Sequence, residues 1–116
     1  MTDIVQIEDW VGVSLPEPYR DFLSKHHESI FVGDRVLLYG RSDLRERNEV
    51  CGAKEYCPGY VVIGDDSGDW RFLLPLTGGP LTIVDAGAMS PAWAHPLANN
   101  FEFWLEAGCP LPEDGD

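Results

Sequence analysis

Basic side chains are scarce in this chain: 8 Lys and Arg stand against 20 Asp and Glu in 116 residues, a formal net charge of -12. The second half is almost without them, since residues 59–116 hold nine acids and one base, Arg71. Such a field repels phosphate backbones and anionic membranes, which excludes nucleic-acid and membrane-surface binding and favours a basic partner. Long hydrophobic runs are missing too. The longest, Tyr60 to Gly64, is about five residues, far short of the roughly 20 needed to cross a bilayer. Met1-Thr2-Asp3 opens without the basic stretch of a secretion signal, so the expected location is cytoplasmic. Cysteine is sparse and odd in number, Cys51, Cys57 and Cys109, which predicts reduced thiols rather than a disulfide framework.

The familiar catalytic words are absent as well. There is no G-x-S-x-G, H-E-x-x-H, P-loop or G-x-G-x-x-G, so no catalytic residue is assigned. Cys51 and Cys57 are spaced C-x5-C with no second pair, which does not make a zinc site. A calcium loop opening at Asp65 or Asp66 needs glutamate where Leu76 or Thr77 stands. No metal and no cofactor is expected.

What is present suits one domain over residues 1–116. At 44% hydrophobic residues, a chain of this length buries roughly two-thirds of its unfolded surface in one core. Thr2 to Val11, with Thr2 as cap and Ile4, Ile7 and Val11 on one face, predicts a short helix stopped by Gly12. Leu15 to His26 predicts the clearest helix, with Pro16 and Pro18 confined to its first turn. Ile30–Val32 and Arg35–Tyr39 read as strands around a Gly33-Asp34 turn, and Ser42–Asn48 as one or two helical turns. Ala53–Gly59 reads as a loop. Tyr60–Gly64 and Trp70–Leu74 form a hairpin across Asp65-Asp66-Ser67-Gly68-Asp69, whose Asx residues and glycine suit a tight connection. Leu81–Asp85 is a further strand, Ala86–Pro96 an ordered loop, and Asn99–Ala107 a closing helix with an Asn99–Glu102 capping pair and a Gly108 stop. The tail Glu113–Asp116 is expected to fray. Helices first, strands in the middle and a helix last give an α+β domain: a central, mainly antiparallel sheet flanked by N-terminal helices and a C-terminal helix.

The words Leu15-Pro16-x-x-Tyr19-Arg20-x-Phe22-Leu23, Leu37-Leu38-Tyr39, Glu46-Arg47-Asn48, Tyr56-Cys57-Pro58-Gly59-Tyr60, Ile63-Gly64-Asp65-Asp66-Ser67-Gly68, Val84-Asp85-x-Gly87 and Phe101-x-x-Trp104-Leu105 follow one another in order. Together they resemble the SUKH superfamily, which holds the Smi/Knr-type domain and a branch of bacterial immunity proteins. The resemblance covers nearly the whole chain. It implies the α+β fold above, no catalytic activity, and a role in binding and blocking a toxin domain of nuclease or deaminase type. The alternative it leaves is a regulatory or scaffold domain without a toxin partner. One departure stands at Asp69, where the family word usually continues with a second glycine.

An acidic antidote for a basic toxin domain would use carboxylates with aromatic anchors. The candidate contact residues are Asp65, Asp66, Asp69 and Asp85, with Trp70 and Trp93 as anchors. The carboxylates equally suit a turn that needs Asx chemistry. Trp70 equally suits a sheet-covering role, and Trp93 is either a binding anchor or a pin that holds its loop to the core.

Overall fold

A computed structural model describes residues 4–33 and 35–111 of the chain. The Thr2 cap, Asp34 of the Gly33-Asp34 turn and the tail from Glu113 to Asp116 lie outside the described residues. The domain is α+β as expected. Two helices, α1 (Ile4–Val11) and α2 (Glu17–Lys25), precede strands β1 (Ile30–Val32) and β2 (Val36–Leu38). Helices α3 (Leu44–Cys51) and α4 (Ala53–Tyr56) follow. Then come β3 (Tyr60–Asp65), β4 (Trp70–Pro75), β5 (Leu81–Asp85), two 3-10 turns, β6 (His95–Ala98) and α5 (Phe101–Glu106). The six strands form one sheet in the order β1-β2-β3-β4-β5-β6, with neighbouring strands antiparallel.

Local chemistry explains where the elements begin and end. Gly12 donates to the Glu8 carbonyl and turns α1 off with φ near 90°, a conformation glycine adopts without cost. The Glu8 carboxylate then accepts from the Leu15 amide at 2.7 Å and from Arg20 Nε at 3.2 Å, tying α1 to α2. At the other end of α2 the guanidinium of Arg41 donates to the Leu23 and Ser24 carbonyls at 2.6 and 2.9 Å, satisfying acceptors that a helix leaves orphaned.

The middle strands are covered on both faces. Successive residues Val61, Val62 and Ile63 of β3 and Phe72, Leu73 and Leu74 of β4 are all buried. That accounts for their unbroken apolar runs, where a half-exposed strand would alternate. Phe72 meets Trp104 of α5 edge to face at 5.1 Å. Phe101 meets Tyr19 and Phe22 of α2 at 5.2 and 5.6 Å, so one aromatic cluster locks the first helices to the last.

The structure corrects three readings. Ala53–Tyr56 is a short helix set between Gly52 and Cys57 rather than loop. The Ala86–Pro96 loop contains 3-10 turns at Ala86–Ala88 and Pro91–Trp93 and runs into a sixth strand at His95. The cap of α5 is Asn100, whose side chain accepts from the Phe103 amide at 2.8 Å, in place of Asn99.

Buried titratable groups give the fold an alkaline limit. Burial pushes the Cys109 thiol from its ordinary 9.0 up to about 11. Tyr19, whose hydroxyl has no hydrogen-bond partner among the described residues, is also pushed well above the usual phenol range, first by burial and then by Tyr39. Above pH 9 the unfolded thiol ionises while the folded one keeps its proton, so the contribution of Cys109 to stability is constant below that point and is lost as pH rises through 11. Urea midpoints measured from pH 7 to 11 should be flat to about 9 and then decline. A midpoint that stays level to pH 11 contradicts this account.

Candidate functional site

The β3–β4 hairpin separates its carboxylates into two kinds. Asp65, 9% exposed, accepts from the Tyr39 hydroxyl at 2.5 Å through Oδ2 and from the Ser67 amide at 2.8 Å through Oδ1. Asp66 accepts from the Gly68 and Trp70 amides at 2.9 and 3.2 Å. Its other oxygen lies 3.7 Å from Arg35, with the Asp66 side chain 6% exposed. Both carboxylates thus face the turn they build, which holds Ser67 at φ 66°. The sole base of the second half, Arg71, donates to the Gly68 and Trp70 carbonyls at 2.8 and 3.2 Å and braces the same turn.

Asp69 and Asp85 are different, for both are exposed. Asp69 does not take the left-handed conformation that glycine serves, since Ser67 and Cys109 are the non-glycine residues with positive φ among those described. The departure from the family word therefore adds charge without straining the turn. The Asp69 carbonyl accepts from the Ala86 amide at 2.6 Å, which joins the hairpin to the segment leaving β5. Asp85 opens that segment, and its Oδ1 accepts from the Gly87 amide at 2.7 Å, an Asx cap on a 3-10 turn.

Register completes the assembly. Trp70 pairs with Asp85 across β4 and β5, and Ile83 pairs with His95 across β5 and β6. The half-buried Trp70 ring meets the His95 ring edge on at 6.3 Å. Two residues before His95 stands Trp93, 67% exposed, held by its amide to the Ser90 carbonyl at 3.0 Å. Asp69, Trp70 and Asp85 thus lie at the end of the sheet where the β3–β4 turn bonds to the segment leaving β5, and Trp93 stands on the 3-10 turn just before β6.

Tyr39, which the site reading did not single out, is the hidden member. Burial, then its hydrogen bond to Asp65 and that carboxylate's charge, hold its phenol above the ordinary range, so it remains a donor. Tyr39→Phe should leave Asp65 Oδ2 short of a partner and lower stability by about 2 kcal/mol, read as a reduced urea midpoint. An unchanged midpoint contradicts the assigned role. A tyrosine ending an apolar strand is the sequence signal, but its partner lies 26 residues away.

Burial raises Cys51 and Cys57 above the usual thiol range, which disfavours the nucleophilic thiolate. Among the described residues no three His, Cys, Asp or Glu side chains are grouped to hold a metal ion, and no helix is long and apolar enough to cross a membrane.

The model of the SMI1/KNR4 family (SUKH-1) matches residues 2–107 of this chain. A 39-residue segment is 49% identical to a protein of Gloeobacter violaceus whose name reads 3-methyladenine DNA glycosylase. That overlap covers 34% of this chain and 18% of the other protein, so the chain spans less than a fifth of that relative.

Proposed function

The chain belongs to the SMI1/KNR4 family (SUKH-1), and from that premise we propose that it is a non-catalytic, cytoplasmic immunity protein that binds and blocks a basic toxin domain. The reading is supported by exposed Asp69 and Asp85 flanking Trp70 at one end of the sheet, with exposed Trp93 on the segment between β5 and β6. Exposed carboxylates and an exposed tryptophan suit charge-assisted bonds to arginine and lysine with an aromatic anchor. Asp65 and Asp66 contribute by holding the turn that presents Asp69. Inhibition is by occlusion: opposite net charges speed encounter toward roughly 10⁸ M⁻¹s⁻¹ at low salt, and a few desolvated anchors set slow release.

The test is a tagged pull-down from the native host at low and high salt, with bound proteins identified by mass spectrometry. One dominant basic toxin-like protein, retained less at high salt, and rescue of cells expressing it are expected. Several host proteins of mixed charge would favour the regulatory scaffold role instead. Asp69→Asn with Asp85→Asn keeps the acceptor that caps the 3-10 turn while removing two charges, so it should weaken retention at least tenfold and leave the melting temperature within about 3 °C.

A further inference from the structure

We infer that the cleft between α4 and the segment following β5 seats an arginine side chain of the basic partner, an inference that rests on the proposed interaction role. The cleft has a volume of about 420 Å³, is walled by Cys51, Tyr56, Met89 and Trp93, and has no charged residue in its lining. Both of its aromatic rings are open to solvent, Trp93 at 67% and Tyr56 at 54%. Local backbone geometry positions both residues. Gly52, left-handed at φ 71°, lets the Tyr56 ring lie against it so closely that a Cβ there would come within 2.8 Å of the ring. Trp93 ends a 3-10 turn capped by the Ser90 side chain.

Two other aromatic rings show what these two lack. Trp10 carries Lys54 at 4.9 Å and Arg45 at 5.7 Å from its ring centre, and Tyr39 carries Arg47 at 5.8 Å. Among the described residues neither Trp93 nor Tyr56 has a cation or a second ring over it. Lys54, two residues before Tyr56, is engaged with the Trp10 carbonyl. Carboxylates stand next to the lining residues in sequence instead. Glu55 precedes Tyr56 and exposed Asp85 precedes Ala86, and neither forms an ion pair among the described residues.

Two exposed aromatic rings over an uncharged lining, in a chain of net charge -12, match a planar cation on an apolar stem. A guanidinium is more weakly hydrated than an ammonium and stacks on aromatic rings, so arginine fits better than lysine. A wholly apolar side chain would gain nothing from the chain's negative field.

The probe is the capped hexapeptide Gly-Arg-Gly-Arg-Gly-Arg, titrated into the isotopically labelled full chain at 0.15 M salt, with the same peptide carrying citrulline for arginine as control. Saturable shifts of the Trp93 indole N–H and the Met89 methyl are expected with arginine, and none with citrulline. Trp93→Ala should weaken the peptide at least fivefold, and Trp93→Phe should recover most of that loss. Shifts spread over other acidic faces, equal binding of the citrulline peptide, or no shift at 10 mM peptide each overturn the inference. Its fate separates from that of the immunity role. Peptide binding with no basic protein captured from the host counts against the immunity role alone, whereas a captured toxin held equally by Trp93→Ala counts against the cleft alone.

Discussion

Replacing Asn48 with alanine is expected to cost about 3 kcal/mol of folding stability and to lower the melting temperature by roughly 10–20 °C. Asn48 is 2% exposed in the middle of α3. Its side-chain amide donates to the Leu44 and Val62 carbonyls, both at 2.8 Å, and its Oδ1 accepts from the Val62 amide at 2.8 Å. The need arises in the sheet. β2 pairs with β3 at Asp65 and Gly64, and the Tyr39 amide reaches the Ile63 carbonyl. Beyond that point β2 has ended, and Val62 is fully buried. The carboxamide, with one donor and one acceptor side by side, takes the place of a strand. Alanine leaves the buried N–H and C=O of Val62 unpaired, at about 1–3 kcal/mol each. A urea midpoint corresponding to a loss under about 1 kcal/mol contradicts this role.

Gly64→Ala should be comparably damaging, about 3 kcal/mol or more. A Cβ at position 64 would stand 2.3 Å from the Leu37 carbonyl oxygen and 3.1 Å from a Leu38 methyl. The first of these is backbone of the neighbouring strand and cannot swing aside. Gly64 also lies at the irregularity of the β3–β4 register between Val62 and Gly64, where an extra residue bends the strand. The effect is one of space rather than of a left-handed backbone, since Gly64 is not among the positive-φ glycines. The control is Gly68→Ala, four residues on. Its Cβ would meet nothing closer than the Asp66 carboxylate at 3.3 Å, so the expected cost is under about 1 kcal/mol. Equal losses at the two positions would refute the steric argument.

Much of the architecture is legible in the chain because the strongest signals are local. Leu15 to His26 carries its helical face and its prolines in the right places, and α2 forms there. The Asx residues of the β3–β4 turn predict the hairpin that is found. β6 is not legible, because His95-Pro96-Leu97-Ala98 has neither alternation nor β-branched residues. It is a strand through pairing with β5 at the sheet edge, where a proline's missing N–H is tolerated. The short α4 escapes notice because four residues between Gly52 and Cys57 carry no periodicity.

The candidate site divides along the same line. Turn chemistry at Asp65 and Asp66 can be read from the sequence. Which carboxylates face inward cannot, because the answer depends on Tyr39 and Arg35, strands away in the chain. Trp93 could have pinned its loop or stood open, and its exposure follows from the 3-10 turn that carries it. Asn48 sits in a helix although asparagine is a weak helix former that competes for backbone hydrogen bonds. That mismatch was the available sign of its role.

The central claim is that the acidic, aromatic end of the sheet holds a basic protein. The most direct measurement is the dissociation constant of the partner captured from the host, at 0.05 to 0.5 M salt, for the native chain and for Asp69→Asn with Asp85→Asn. The account predicts binding that weakens steeply with salt, at least tenfold weaker binding by the double variant at low salt, and a shallower salt dependence. A double variant with the native affinity and the native salt slope would contradict it.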